Sequence, residues 1–114
     1  MITGIQTIFE RILKMVKHIV MFRFMENAEG RTKAENVEIA KNMLVKLQGV
    51  VPTLVSSKIS VNNGTNPTNY DLVLEADYNS YEDLAEYIVH PAHKAVGEFM
   101  KKVRLDRACV DYEY

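Results

Sequence analysis

The sequence predicts an α+β domain of ferredoxin-like plan, a βαββαβ chain whose four strands form one antiparallel sheet with the helices on one face. Three observations predict it. Apolar residues recur with a period of two in four stretches and with helical spacing in the segments between them. Their order is strand, helix, strand, strand, helix, strand, the split βαβ arrangement. The strand face turned away from the helices carries Ile19, Met21 and Val73, and the hydrophobic cost of leaving it wet favours a symmetric partner.

Composition narrows the partners. The 114 residues are 47% hydrophobic and 25% charged, as expected of one soluble domain with one core. A chain of this length buries only about two-thirds of the surface its unfolded form exposes, so a leftover apolar face promotes self-association. With 14 basic and 15 acidic residues the net charge is −1, which lacks the positive footprint of a binder of nucleic acid or anionic membrane. The single cysteine, Cys109, cannot form an internal disulfide and has no Cys or His at metal-ligand spacing, so it is expected to be a small core residue. In residues 1–14, Ile5, Ile8, Phe9, Ile12 and Leu13 follow helical spacing, which predicts a short amphipathic extension; Met15 is an alternative start. Glu10 and Arg11 interrupt this stretch and no cleavage site follows, so the expected compartment is the reducing cytoplasm.

Residues 15–114 form the domain. In Val16 to Phe24, His18, Val20, Phe22 and Phe24 share one face and Lys17, Ile19, Met21 and Arg23 the other; apolar groups on both faces predict a central strand. Asn27 to Gly30 is turn-like. Val37, Ala40, Leu44 and Leu47 then mark a helix over about 31–48, with Gly49 as its stop and Pro52 close behind. Val55, Ser57, Ile59 and Val61 alternate as a half-buried strand, which Asn62-Asn63-Gly64 breaks. Tyr70, Leu72, Leu74, Ala76 and Tyr78 form the apolar face of the third strand. Ser80 is an N-cap, with Glu82 and Asp83 complementing the helix dipole. Pro91 breaks that helix, pushes His90 out of helical geometry and opens a second segment carrying Val96, Phe99, Met100 and Val103. Ala108, Val110 and Tyr112 alternate with Arg107, Cys109 and Asp111 in the last strand.

Four fragments in this order carry a resemblance: Val16-Lys17-His18-Ile19-Val20-Met21-Phe22, Tyr70-Asp71-Leu72-Val73-Leu74, Tyr87-Ile88-Val89-His90-Pro91-Ala92-His93 and Val110-Asp111-Tyr112. Together they resemble the stress-responsive A/B-barrel (Dabb) family over residues 15–114. The resemblance implies a homodimer in which two sheets face each other as a dimeric α/β barrel. Plant polyketide cyclases of that family close a C2–C7 aldol ring with a His and a Tyr and without metal or cofactor. Their catalytic tyrosine matches Tyr87, their catalytic histidine matches His93, and their first-strand histidine matches His18. Their third-strand histidine has no counterpart, since Leu72 stands there.

The same residues make chemical sense by themselves. His93 falls in the first turn of the helix opened by Pro91, where the dipole disfavours imidazolium and leaves the neutral form a general base requires. Tyr87, one turn before the break, can donate to a developing enolate oxygen. His18, Val20 and Phe22 project between sheet and helices, and Tyr70, Leu72 and Leu74 extend an apolar lining suited to an aromatic or acyl ligand. Each also has a purely structural reading: His90 as an N-cap, Tyr87 as a core aromatic, and His18 and His93 as hydrogen-bonded packing residues. His18, His90 and His93 make a poor metal set, because no Asp, Glu or Cys near them in sequence completes it. No phosphate loop or nucleophile elbow is present, and no cofactor is expected. The expected function is a homodimer that binds a small apolar or aromatic ligand. The alternatives are a cofactor-free cyclase-like lyase, with His93 as base and Tyr87 as oxyanion donor, and a cofactor-free monooxygenase.

Overall fold

The structure is a computed structural model that describes residues 14–114. The expected N-terminal helix lies, apart from Lys14, outside the described residues. Four strands, β1 (Val16–Phe24), β2 (Ser56–Val61), β3 (Leu72–Tyr78) and β4 (Arg104–Glu113), form one antiparallel sheet in the order β2-β3-β1-β4. Helices α1 (Lys33–Val45), α2 (Tyr81–Val89) and α3 (Pro91–Val103) cover one face. This is the ferredoxin-like plan, with β1 central as its two-sided apolar pattern predicts. No helix among the described residues is long and apolar enough to cross a membrane.

Local chemistry sets the boundaries. The chain turns at Glu29 and Gly30, both with positive φ (53° and 72°), and pairs Asn27 and Ala28 with Thr32 and Arg31. Two successive positive-φ residues mark a type I′ turn, which glycine accommodates without a Cβ penalty. Thr32 caps α1 in a reciprocal capping box with Glu35. The helix ends earlier than Gly49 implies, because Leu47 N–H and Gln48 N–H donate to the carbonyls of Leu44 and Val45, tightening the last turn. Gly49, at φ 85°, then redirects the chain. β3 begins at Leu72 rather than Tyr70: Asp71 N–H donates to the Phe22 carbonyl, and its carboxylate accepts from Phe24 N–H at 2.8 Å.

Strand alternation divides the sheet cleanly. Val20, Phe24, Leu74, Ala76 and Tyr78 are buried on the helix side. On the outer side Met21 is 39% and Val110 53% exposed, beside half-buried Ile19 and Val73. Cys109, expected in the core, is exposed. The reason is topological: β4 is the edge strand and packs almost wholly on β1, so none of the described helices covers it.

Candidate functional site

The helix break at Pro91 builds the first half of the site. In an unbroken helix the Ile88 carbonyl would accept from Ala92 N–H, four residues on. Here His90 Nδ1 accepts from Ala92 N–H at 3.0 Å, and His93 Nδ1 lies 3.0 Å from the Ile88 carbonyl. Two histidines thus replace the two halves of one missing helical bond. A carbonyl only accepts, so His93 Nδ1 must carry the hydrogen, and in the neutral ring Nε2 is left with a free lone pair. Burial lowers the His93 pKa below its usual 6.5, the Ile88 bond partly opposes this, and His18 and Arg107 push it lower. His93 is therefore a neutral imidazole at pH 7.

Strand pairing builds the second half. His18, 4% exposed, stands directly opposite Asp111 on β4. Its Nδ1 donates to Asp111 Oδ1 at 2.5 Å, with Cys109 Sγ 3.5 Å from the same nitrogen. The three ligand-type atoms lie within 4.8 Å of one another, a juxtaposition that spacing along the chain does not reveal because it forms across two strands. It amends the expectation that no Cys or Asp stands near a histidine. The carboxylate already satisfies the buried ring, and a buried donor of this kind requires such a partner.

Aromatic rings join the two halves. His18 lies 6.3 Å from Tyr78, Tyr78 lies 5.3 Å from Tyr87, and Tyr87 lies 4.5 Å from His93, centroid to centroid. Burial raises the Tyr87 hydroxyl to about 12, with the Tyr78 hydroxyl slightly opposing. Tyr78 is raised further, by burial first and then by Tyr87, yet its hydroxyl has no hydrogen-bond partner at normal geometry among the described residues. Both phenols stay protonated at neutral pH.

Between sheet and helices lies a cavity of about 110 Å³ lined by His18, Val20, Phe22, Leu74 and His93, together with Leu44, Val96, Met100, Arg104 and Arg107. Five of the anticipated residues thus share one space. Tyr87 lies behind His93 in the core, outside that lining. Tyr70 and Leu72 line a separate depression with Met21 and Val73. Tyr70 is drawn there because its hydroxyl donates to Asp106 at 2.7 Å and its ring lies under the Arg23 guanidinium. Asp111, Arg104 and Arg107 were not anticipated as site residues. The signal for Asp111 was available, since pairing the alternating first and last strands sets it across from His18.

Over 98 residues the chain is 30% identical to a stress-response A/B barrel domain-containing protein (DABB1) of Arabidopsis thaliana, covering 86% of this chain and 46% of that protein. The chain thus spans about half the length of that relative. It is 28% identical over 85 residues to olivetolic acid cyclase of Cannabis sativa, covering 73% of this chain and 80% of the cyclase. Among solved structures, a dimeric ferredoxin-like protein of unknown function from Thermobifida fusca superposes with a TM-score of 0.75 at 26% identity, over 89% of this chain and 92% of that one. The stress responsive A/B barrel domain matches residues 16–114, and the chain belongs to that family.

Proposed function

We propose that the protein is a homodimer that holds a small, mostly apolar molecule in the cavity between sheet and helices. The observation that carries this reading is the cavity itself: apolar walls from β1, β3, α1 and α3 surround two imidazoles, the composition of a ligand site rather than of a closed core. At about 110 Å³ it is smaller than the ~150 Å³ cavity that accommodates benzene, so it suits a short acyl chain or the reacting end of a larger molecule. The dimer rests on the outer face, whose apolar centre at Ile19, Met21, Val73 and Val110 is matched by the dimeric description of the Thermobifida fusca protein.

A second reading is favoured by one specific observation, the neutral His93 with Nε2 unprotonated. It equips the site for cofactor-free proton abstraction next to a carbonyl: His93 Nε2 takes a proton from carbon and an enolate forms, while the buried Tyr87 ring, 4.5 Å from the imidazole, holds His93 from behind. Similarity to olivetolic acid cyclase supports this chemistry. The test measures ligand contacts and turnover together, using a panel of short acyl and β-dicarbonyl compounds with the wild type, His93→Ala and Tyr87→Phe. Amide shifts at Val20, Leu74 and Val96 on ligand addition, lost when Val96→Trp fills the cavity, support binding. Turnover that disappears in His93→Ala supports the lyase. Ligand shifts elsewhere in the protein, with none at those three residues, would refute the site.

A further inference from the structure

The proposed ligand site has a feature that its apolar walls do not explain. A register shift in the pairing of β1 with β4 falls between Arg23 and Phe24: Phe22 faces Arg107 and Arg23 faces Asp106, but Phe24 faces Arg104, so Leu105 is skipped. In a regular strand residues 104 and 107, three apart, would point to opposite faces. The extra residue restores them to one face, the helix side, where both line the cavity with His93. The bulge therefore brings two arginines to the lining of one small space.

Neither Arg104 nor Arg107 is in ion-pair contact with a carboxylate among the described residues, although Arg104 is close enough to Asp106 to help the Tyr70 hydroxyl hold its carboxyl below the usual range. The nearby carboxylates are engaged elsewhere: Asp111 holds His18, while Asp106 accepts from the Tyr70 hydroxyl and from Arg107 backbone N–H. Arg107 stands close enough to act on two neighbours, helping to keep His93 uncharged and partly offsetting the rise that burial imposes on the Cys109 thiol. A neutral thiol does not satisfy a guanidinium's charge. Arg104, half-buried, and Arg107, exposed, thus stand at the solvent edge of the cavity with their side-chain donors unpaired among the described residues.

We propose that the ligand is an anion, a carboxylate with a short acyl body. The body enters the apolar cavity, and the carboxylate remains at its edge between Arg104 and Arg107. Guanidinium recognises a carboxylate through parallel N–H···O bonds, which an uncharged amide of the same shape cannot reproduce with two acceptor oxygens. The inference rests on the cavity being the ligand site, and it names the class of molecule that site takes. It also fits proton abstraction at His93, because the same two cations would favour negative charge developing on a bound carbonyl.

The test titrates the full chain with butanoate and hexanoate, and with their neutral isosteres butanamide and hexanamide, following amide shifts by NMR. The wild type should bind each carboxylate at least ~10-fold more tightly than its amide, about 1.4 kcal/mol, with the preference shrinking as salt is raised. In Arg104→Gln/Arg107→Gln the ratio should fall toward one, and Arg107→Lys alone should keep part of it. Because both arginines lie on the edge strand, circular dichroism should show the variants folded. Amides that bind in the cavity as tightly as the acids, or a carboxylate preference that survives the double substitution, would overturn the anion proposal alone. Absence of shifts at Val20, Leu74 and Val96 with all four probes would overturn it together with the cavity reading.

Discussion

Replacing Met21 by glutamate places a charge at the centre of the outer sheet face, between Val73 on β3 and Ala108 on β4. Met21 is 39% exposed in the single chain, so the protomer tolerates a polar side chain there with little loss of its own packing. In a twofold sheet-to-sheet dimer the same position is covered, and symmetry brings two carboxylates into the contact. Burying an unpaired ion costs several kcal/mol. Even at about 2 kcal/mol for each after relaxation, two copies weaken the dimer by about 4 kcal/mol, roughly a 10³-fold rise in Kd. Sedimentation velocity over a wide concentration range reads this directly, with circular dichroism confirming the fold. Asn42→Glu, on the exposed side of α1, should leave association unchanged. A Met21→Glu protein with the wild-type dimer constant would refute the reasoning, as would a wild type that is monomeric at high concentration.

Other expectations follow from buried polar groups. Tyr78→Phe removes a buried hydroxyl that lacks a partner at normal geometry among the described residues, so it should stabilise the chain by about 1 kcal/mol in urea unfolding; a comparable loss would mean that the Tyr78 and Tyr87 hydroxyls do bond. Asp111→Ala strips the partner from buried His18 and should cost about 1–3 kcal/mol by the same assay, and a variant as stable as the wild type would show that the pair does not hold the ring. Acid stability should depend on His93. Its folded pKa is depressed, so its burial carries no penalty above about pH 6.5, and stability is lost as pH falls below that value, when the unfolded chain takes up the proton first. His93→Gln should flatten that part of the pH profile, and an unchanged slope would contradict the assignment.

The fold was legible because its signals are local and repeated. Alternation in Val16–Phe24 and Leu72–Tyr78, the Ser80 cap and the Pro91 break each agree with the same topology. His90 as an N-cap could be read from Pro91 alone. What stayed hidden depends on pairing between distant strands. His18 and Asp111 are 93 positions apart, and only the β1–β4 register makes them partners. Arg104 and Arg107 share a face only through a bulge, which period-two reading cannot anticipate. Cys109 was misplaced for a related reason: alternation tells which face a residue takes but not whether a helix lies over it. Tyr70 looked like strand by its spacing, while its hydroxyl bond to Asp106 and its packing under Arg23 hold it at the strand's edge.

The cavity's chemistry stands or falls with the state of His93, and ¹⁵N NMR of the imidazole across a pH titration observes that state. A neutral ring at pH 7, with hydrogen on Nδ1, a bare Nε2 and a titration midpoint below 6.5, is the expected result. An imidazolium at pH 7, or a ring carrying its hydrogen on Nε2, would contradict it.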